Sequence, residues 1–223
     1  MALAVETAAN KGKTLQYQGR KASRAKSEQR RRLILEAALR IVVTEGVRGI
    51  RHRAVAKEAD EPLAATTYYF KDIDELIIDT FTLYTEKALS VVNEFTQQFH
   101  QPLAHLAGQE ITSTEGMNTL IDYMVAQVSA YMRNQVMEQR DMRIVEQAFR
   151  YEAIINPSIR KLAQLHRKAL MDKATEFFTK VANSRAPEAD AEILIGLFHT
   201  LEYNALLSAL DEPDMAAISN TIR

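Results

Sequence analysis

Thr66, Thr67, Tyr68 and Tyr69 are the residues of this sequence whose types and spacing best suit chemistry, and that chemistry is recognition rather than catalysis. They follow Pro62, which suits a first helical position because its missing N–H would be unpaired there anyway. A short helix carrying Leu63, Ala64, Ala65, two threonines and two tyrosines is poor material for a core. It suits the major groove of duplex DNA, where Thr and Ala methyls meet thymine methyls and hydroxyls reach bases or phosphates. Thr66 and Thr67 are the expected readers of base edges, with Tyr68 or Tyr69 expected to hold phosphate through its hydroxyl. Phe70 is apolar and is expected to pack. Arg51, Arg53 and Lys71 supply cations for phosphates, and the free N–H groups at a helix start add to the attraction.

Catalytic constellations are missing. The sequence has no Gly-rich phosphate loop, no G-x-S-x-G and no H-E-x-x-H. Cysteine is absent, which excludes disulfides, thiolate catalysis and Cys-ligated metal. None of the five histidines follows a glutamate by three positions, so the inward Glu-x-x-His pairs of a di-iron bundle are excluded. Neither enzymatic activity nor a cofactor or metal is expected.

The recognition residues need elements to hold them. Ser27 is a suitable N-cap for a first helix over Ser27–Glu45, whose apolar face is Leu33, Ile34, Ala37, Ala38, Ile41 and Val42. Gly46 stops it. A second, short helix spans His52–Ala59 with Val55 and Ala56 inward, and the turn Asp60-Glu61 leads into the third. This pattern is a helix-turn-helix signal. Asp60 tolerates a left-handed turn backbone better than most residues. Glu61 must turn outward or find a partner, since burying its carboxylate unpaired would cost several kcal/mol.

Arg32–Leu76 resembles the DNA-binding domain of the tetracycline-repressor (TetR) family of bacterial regulators. The matching features are I-L-x-A-A-L at Ile34–Leu39, Glu45-Gly46, V-A-x-x-A at Val55–Ala59 and T-Y-Y-F-K at Thr67–Lys71. The resemblance implies DNA contact by Leu63, Ala65, Thr66, Thr67, Tyr68 and Tyr69. Two departures stand out: Asp60-Glu61 where the family carries Gly and a packing hydrophobe, and Ile73 where it commonly places a phosphate-contacting Lys. Lys71 is the expected stand-in.

Beyond the head, the 223-residue chain is sparse in Gly and Pro, which favours an all-α protein. Residues 1–75 carry a net charge of +5 and residues 76–223 a net charge of −6, so only the first part is expected to meet a polyanion. No apolar run approaches twenty residues, and the first ten do not make a signal peptide. A cytoplasmic protein that does not contact a membrane is the expectation.

Three regions follow. Residues 1–26 read as a flexible basic N-terminal arm, residues 27–75 as the three-helix helix-turn-helix domain, and residues 76–223 as a helical effector-binding and dimerisation domain. In the last, a long helix runs from Asp72 towards Phe99, stopping before Pro102. Others follow over about Gly116–Asn134, Met137–Ile155, Pro157–Val181 with Asn156 as N-cap, and Glu188–Leu210. The last is apolar on more than one face and has the apolar face of the helix before it for company, which implies a homodimer through the two.

The resemblance implies a small-molecule pocket in this body. Phe95, Phe99, Tyr123, Met124, Tyr131, Met142 and Phe149 are its candidate apolar lining. His105, Arg143, Glu146, Arg150 and His199 are its polar candidates. The implied function is a ligand-responsive regulator, a repressor that releases a palindromic operator on binding a small molecule. The alternative is a helical ligand-binding or adaptor protein with weakened DNA binding, suggested by Asp60 and Glu61.

Overall fold

A computed structural model of the chain describes residues 16–20, 25–107, 114–180, 184–208 and 214–222; at 98–107, 117 and 120 it describes backbone only. All regular structure among these residues is helical. The order is α1 (Ala25–Glu45), a short 3-10 turn (Val47–Gly49), α2 (His52–Glu58), α3 (Leu63–Tyr69), α4 (Ile73–Ala107), α5 (Thr114–Met137), α6 (Arg140–Ile155), α7 (Pro157–Lys180), α8 (Pro187–Leu207) and α9 (Met215–Ile222).

Local signals account for most boundaries. Gly46 ends α1 at φ 70°, a left-handed conformation that glycine adopts without a Cβ penalty. Asn156 caps α7, its side-chain oxygen accepting the N–H groups of Ser158 at 3.0 Å and Ile159 at 3.4 Å, with Pro157 in first position. Two expectations shift. Pro62 is the N-cap of α3 rather than its first residue. The long helix does not stop before Pro102 but continues to Ala107. A proline removes one backbone bond and crowds one carbonyl, which bends or weakens a long helix without having to end it.

The α1 face Ile34, Leu35, Ala37, Ala38, Ile41 and Val42 is buried, whereas Leu33 is exposed. That face packs in one core with Val55, Phe70 and the first half of α4 (Leu76, Phe81, Leu83, Tyr84), and with Val145, Phe149, Ile159 and Leu162 of α6 and α7. The head is therefore seated on the body through a continuous apolar core. A second, smaller core joins Val128, Met132 and Val136 of α5 to Leu201 and Ala205 of α8 and Ile218 of α9. Helix α8 keeps an outward row at Ile193, Gly196, Thr200, Tyr203 and Leu207, all exposed, at alternating three- and four-residue steps. Such a row is one stripe of a helix. Ile193 and Leu207 are each 69 % exposed.

Candidate functional site

Two regions hold the candidate residues. The first is the outer face of α3. Seven residues make two turns, so positions 65, 66 and 69 share one side and 63, 64, 67 and 68 the other. The inner side carries Ala65, Thr66 and Tyr69, all buried, while Leu63, Ala64, Thr67 and Tyr68 are exposed.

This corrects the reading of Thr66. Its side chain is fully buried, and its hydroxyl donates to the Leu63 carbonyl at 2.9 Å, so it has neither the exposure nor the free donor to read a base edge. Ala65 also faces inward. Tyr69 is buried with its hydroxyl hydrogen-bonded to Ser27 Oγ at 2.9 Å. Thr67, Tyr68 and Leu63 remain the outward set. Arg51 and Arg53 are exposed, with no ion pair among the described residues. Lys71, by contrast, lies 3.2 Å from Glu75 and 3.9 Å from Asp72.

The turn between α2 and α3 resolves both of its acids. Asp60 adopts φ 51°, the left-handed geometry the bend requires. Glu61 finds its partner in Arg30, 2.8 Å away. The pair borders an open groove between the start of α1 and α3, along with Lys26, Leu33, Ala64 and Tyr68. Of the three arginines at 30–32, only Arg30 and Arg32 are exposed; Arg31 is buried between Glu28 at 2.8 Å and Asp79 at 3.1 Å.

Residues 16–20 of the N-terminal region lie against the protein itself. The Gln18 and Gly19 N–H groups donate to the two oxygens of Asp79, and the Arg20 N–H donates to the Tyr69 carbonyl at 2.8 Å. Of the rest of the expected arm 1–26, residues 1–15 and 21–24 lie outside the described residues, and residues 25 and 26 begin α1 instead.

The second region is a cavity of about 170 Å³ lined by α4, α5, α6, α7 and α8. Of the expected lining residues, Phe95, Met124, Tyr131 and His199 face it. Three others do not. Phe149 and Met142 pack in the core shared with the head, and Tyr123 packs against the smaller core near α9. Phe149 packs against Phe81 with the rings tilted and their centres 4.6 Å apart, a contact that fills the core. The Phe99 and His105 side chains lie outside the described residues, and Arg150 is exposed. Phe95, Tyr131 and Phe198 form an aromatic wall, with ring centres 4.2 Å and 5.8 Å apart in succession. Phe177, Phe178 and Lys173 of α7 line the cavity as well.

The cavity has a charged end that the sequence reading found only in part. Arg143 Nη1 donates to Glu146 at 2.7 Å and to Glu202 at 3.1 Å, and His199 Nε2 stands 3.3 Å from the other Glu146 oxygen. His166 and Tyr84 complete the cluster. Arg143, Glu146, His166 and Glu202 are all buried. Burial pushes the Glu202 carboxyl up to about 7, against the pull of Arg143. Burial would raise Glu146 too, but the His199 hydrogen bond and the Arg143 charge outweigh it and hold this carboxyl well below its ordinary value. Burial lowers His166, against the pull of Glu146. One guanidinium thus serves two carboxylates unequally. The second oxygen of Glu202 has no donor among the described residues. Glu202, His166, Gln135 and Tyr84 were not singled out from sequence, and no local motif marks them.

The fold has solved counterparts. A TetR-family member from Streptomyces coelicolor is similar over 87 % of this chain and 96 % of its own, at 22 % identity and TM-score 0.60. A transcriptional regulator from Saccharomonospora viridis, solved with choline, is similar over 88 % of this chain and 94 % of its own, at 16 % identity and TM-score 0.64. The multidrug-binding protein EbrR, solved with imidazole, is similar over 87 % of this chain and 88 % of its own, at 20 % identity and TM-score 0.57. No protein-family model matches the chain.

Two curated relatives match shorter stretches. A helix-turn-helix-type transcriptional regulator of Xanthobacter autotrophicus is 37 % identical over 71 residues, and PksA of Bacillus subtilis, another of that type, 36 % identical over 67. Each match spans 33 % of the relative's length. The architecture is that of the TetR-family transcriptional regulators.

Proposed function

We propose that this chain is a dimeric, DNA-binding transcriptional regulator whose affinity for a palindromic operator is set by a small molecule in the cavity between α4 and α8. The observation that carries this reading is the single helix joining the two regions. Helix α4 begins beside α3, and further along it presents Tyr84, Ala88, Val92 and Phe95 to the cavity. A ligand that displaces α4 therefore displaces a helix packed in the same core as the head, and two heads in a dimer would change their separation. Half-sites lie about 34–36 Å apart or at multiples of that, so a small change defeats simultaneous fit and the protein acts as a repressor.

The outward row of α8 supports the dimer. It offers Ile193, Tyr203 and Leu207 around an open Gly196, where no atom comes within 4 Å of an added Cβ. A two-fold contact would cover them. The alternative of weakened DNA binding loses its main support, since Asp60 serves the bend and Glu61 is paired.

The cavity's own groups define the ligand's chemistry. An apolar body meets the aromatic wall, and one donor or cationic group meets the open oxygen of Glu202. Such groups gain from aromatic faces as well as from the carboxylate. The choline, imidazole and proflavin held by structural counterparts are of this kind.

Selection of duplexes from a random-sequence pool tests the DNA half. Recovery of an inverted repeat supports it, and recovery of no preferred sequence at moderate salt sinks it. For the ligand, phenethylamine and phenylacetate share one body with opposite charge. The amine should raise the melting temperature of wild type but not of Glu202→Gln, and preference for the acid would overturn the assignment.

A further inference from the structure

The N-terminal residues 16–20 are held by six separate contacts, more than a passing chain requires. The Tyr17 hydroxyl donates to Glu86 at 2.7 Å, and the Tyr17 ring lies 4.2 Å under the Arg31 guanidinium. The Gln18 N–H donates to Asp79 Oδ1 at 2.6 Å and the Gly19 N–H to Asp79 Oδ2 at 3.0 Å. The Arg20 N–H closes the strap onto the last turn of α3 through the Tyr69 carbonyl. Asp79 is fully buried and also receives Arg31, so this carboxylate ties the strap, α1 and α4 at one point. Asp79 and Glu86 sit seven residues apart on α4, about 10 Å along its axis. The strap therefore runs down α4 towards the recognition helix.

Gly19 fits only as glycine. A Cβ there would stand 2.8 Å from the Phe70 ring and 2.9 Å from Asp79 Oδ2, and both neighbours are themselves fixed in the core. The outcome of this seating is the position of Arg20. Its guanidinium lies 4.3 Å over the ring of Tyr68, the most exposed aromatic residue of α3. Around it, several of the head's cations are paired, Arg30 by Glu61, Arg31 by Glu28 and Asp79, Arg40 by Glu58 and Lys71 by Glu75, whereas Arg51 and Arg53 are open like Arg20. Arg20 has no ion pair among the described residues. Stacking on a ring holds a guanidinium in place and leaves its N–H fork free for an oxyanion.

Resting on the DNA-binding reading above, we propose that residues 16–20 are a fourth element of the DNA-binding head, in which Asp79 and Gly19 seat the strap so that Arg20, stacked on Tyr68, contacts a DNA phosphate beside α3. Arg20 is the contacting residue, and Asp79 and Gly19 are positioning residues. Because Asp79 belongs to α4, the strap also ties Arg20 to the helix that walls the cavity, so displacement of α4 would move this contact together with α3.

The experiment measures binding of the full chain to a short mixed-sequence duplex across a salt series, with thermal melting of each variant alongside. Arg20→Ala should weaken binding about threefold to tenfold and lower the slope of log affinity against log salt by about one, the signature of one lost phosphate contact. Its melting temperature should be unchanged, and Arg20→Lys should recover the slope. Gly19→Ala changes no charge, yet should lower the slope by the same amount, because the strap no longer seats.

Wild-type affinity and slope in Arg20→Ala would overturn the proposal, leaving the strap as a structural clip, and tighter binding would overturn it in favour of a strap that masks the head. If wild type binds no duplex at all, the DNA-binding reading fails and the phosphate contact fails with it. Wild type binding normally beside an unaffected Arg20→Ala sinks the strap proposal alone.

Discussion

The recognition face and the cavity place charge in opposite ways. On the face, cations are exposed, and several are paired by acids a turn away: Lys71 with Glu75, Arg32 with Glu36. Exposed pairs of this sort contribute little to stability and exchange readily for phosphate. In the cavity, Arg143, Glu146 and Glu202 are buried together, and removing Arg143 would strand both carboxylates. The surface charges are thus free to serve binding, whereas the buried charges are tied to the integrity of the fold.

That contrast can be broken most directly at Arg143. Arg143→Met leaves two carboxylates facing each other without a cation, and unfolding should cost about 3–5 kcal/mol less than in wild type. A loss below roughly 1 kcal/mol in chemical denaturation would show that the cluster is solvated. Tyr68→Ala should do the reverse, weakening DNA binding about tenfold, roughly 1.4 kcal/mol, with unchanged melting. Thr66→Val sharpens the same line within one helix. Since Thr66 is buried and bonded to Leu63, its DNA affinity should stay near wild type, while Thr67→Val on the outer face should lose affinity. Equal losses at both positions would overturn the inward placement of Thr66.

Acid and base should separate the two regions as well. A carboxyl raised from its ordinary range to about 7 keeps its proton up to that pH in the ligand-free folded state, so its contribution to stability is full at low pH and is lost as pH rises through 7. His166, lowered by burial, acts oppositely: its contribution is present above the ordinary histidine range and is lost as pH falls below it. The difference between wild type and Glu202→Gln isolates the first. Glu202→Gln should gain stability relative to wild type as pH rises from 5 towards 8, and a difference flat with pH would mean that Glu202 is ionised throughout. The smallest expected effect is at the turn, where Asp60→Ala should cost about 1 kcal/mol because alanine takes the left-handed backbone less readily than aspartate.

The head was legible because its signals are contiguous. Gly46, Asp60, Pro62 and the apolar period of α1 act within a turn or two of themselves, and the boundaries they imply agree with the structure to within a residue or two. Within α3 the side facing the core was less legible. The alternatives differ by 100° of rotation, and only Phe70 and the α1 face decide which threonine goes in. In the body, Phe95, Met124, Tyr131 and His199 were found, because large adaptable side chains concentrate around cavities. Phe149 and Met142 have the same composition signal and went to the core.

By itself the sequence determined the helical class, the placement of the helix-turn-helix, the left-handed bend at Asp60 and the polarity between a basic head and an acidic body. Each depends on local backbone preference or on summed charge, which need no knowledge of neighbours. Tertiary structure alone decided that Glu202 would share Arg143 with Glu146 across 59 residues, that Arg30 would answer Glu61, and that Gly19 would bring Arg20 onto Tyr68 by way of Asp79. These are pairings between distant segments, and a charge or a glycine carries no mark of its partner until packing brings the two within a few ångströms.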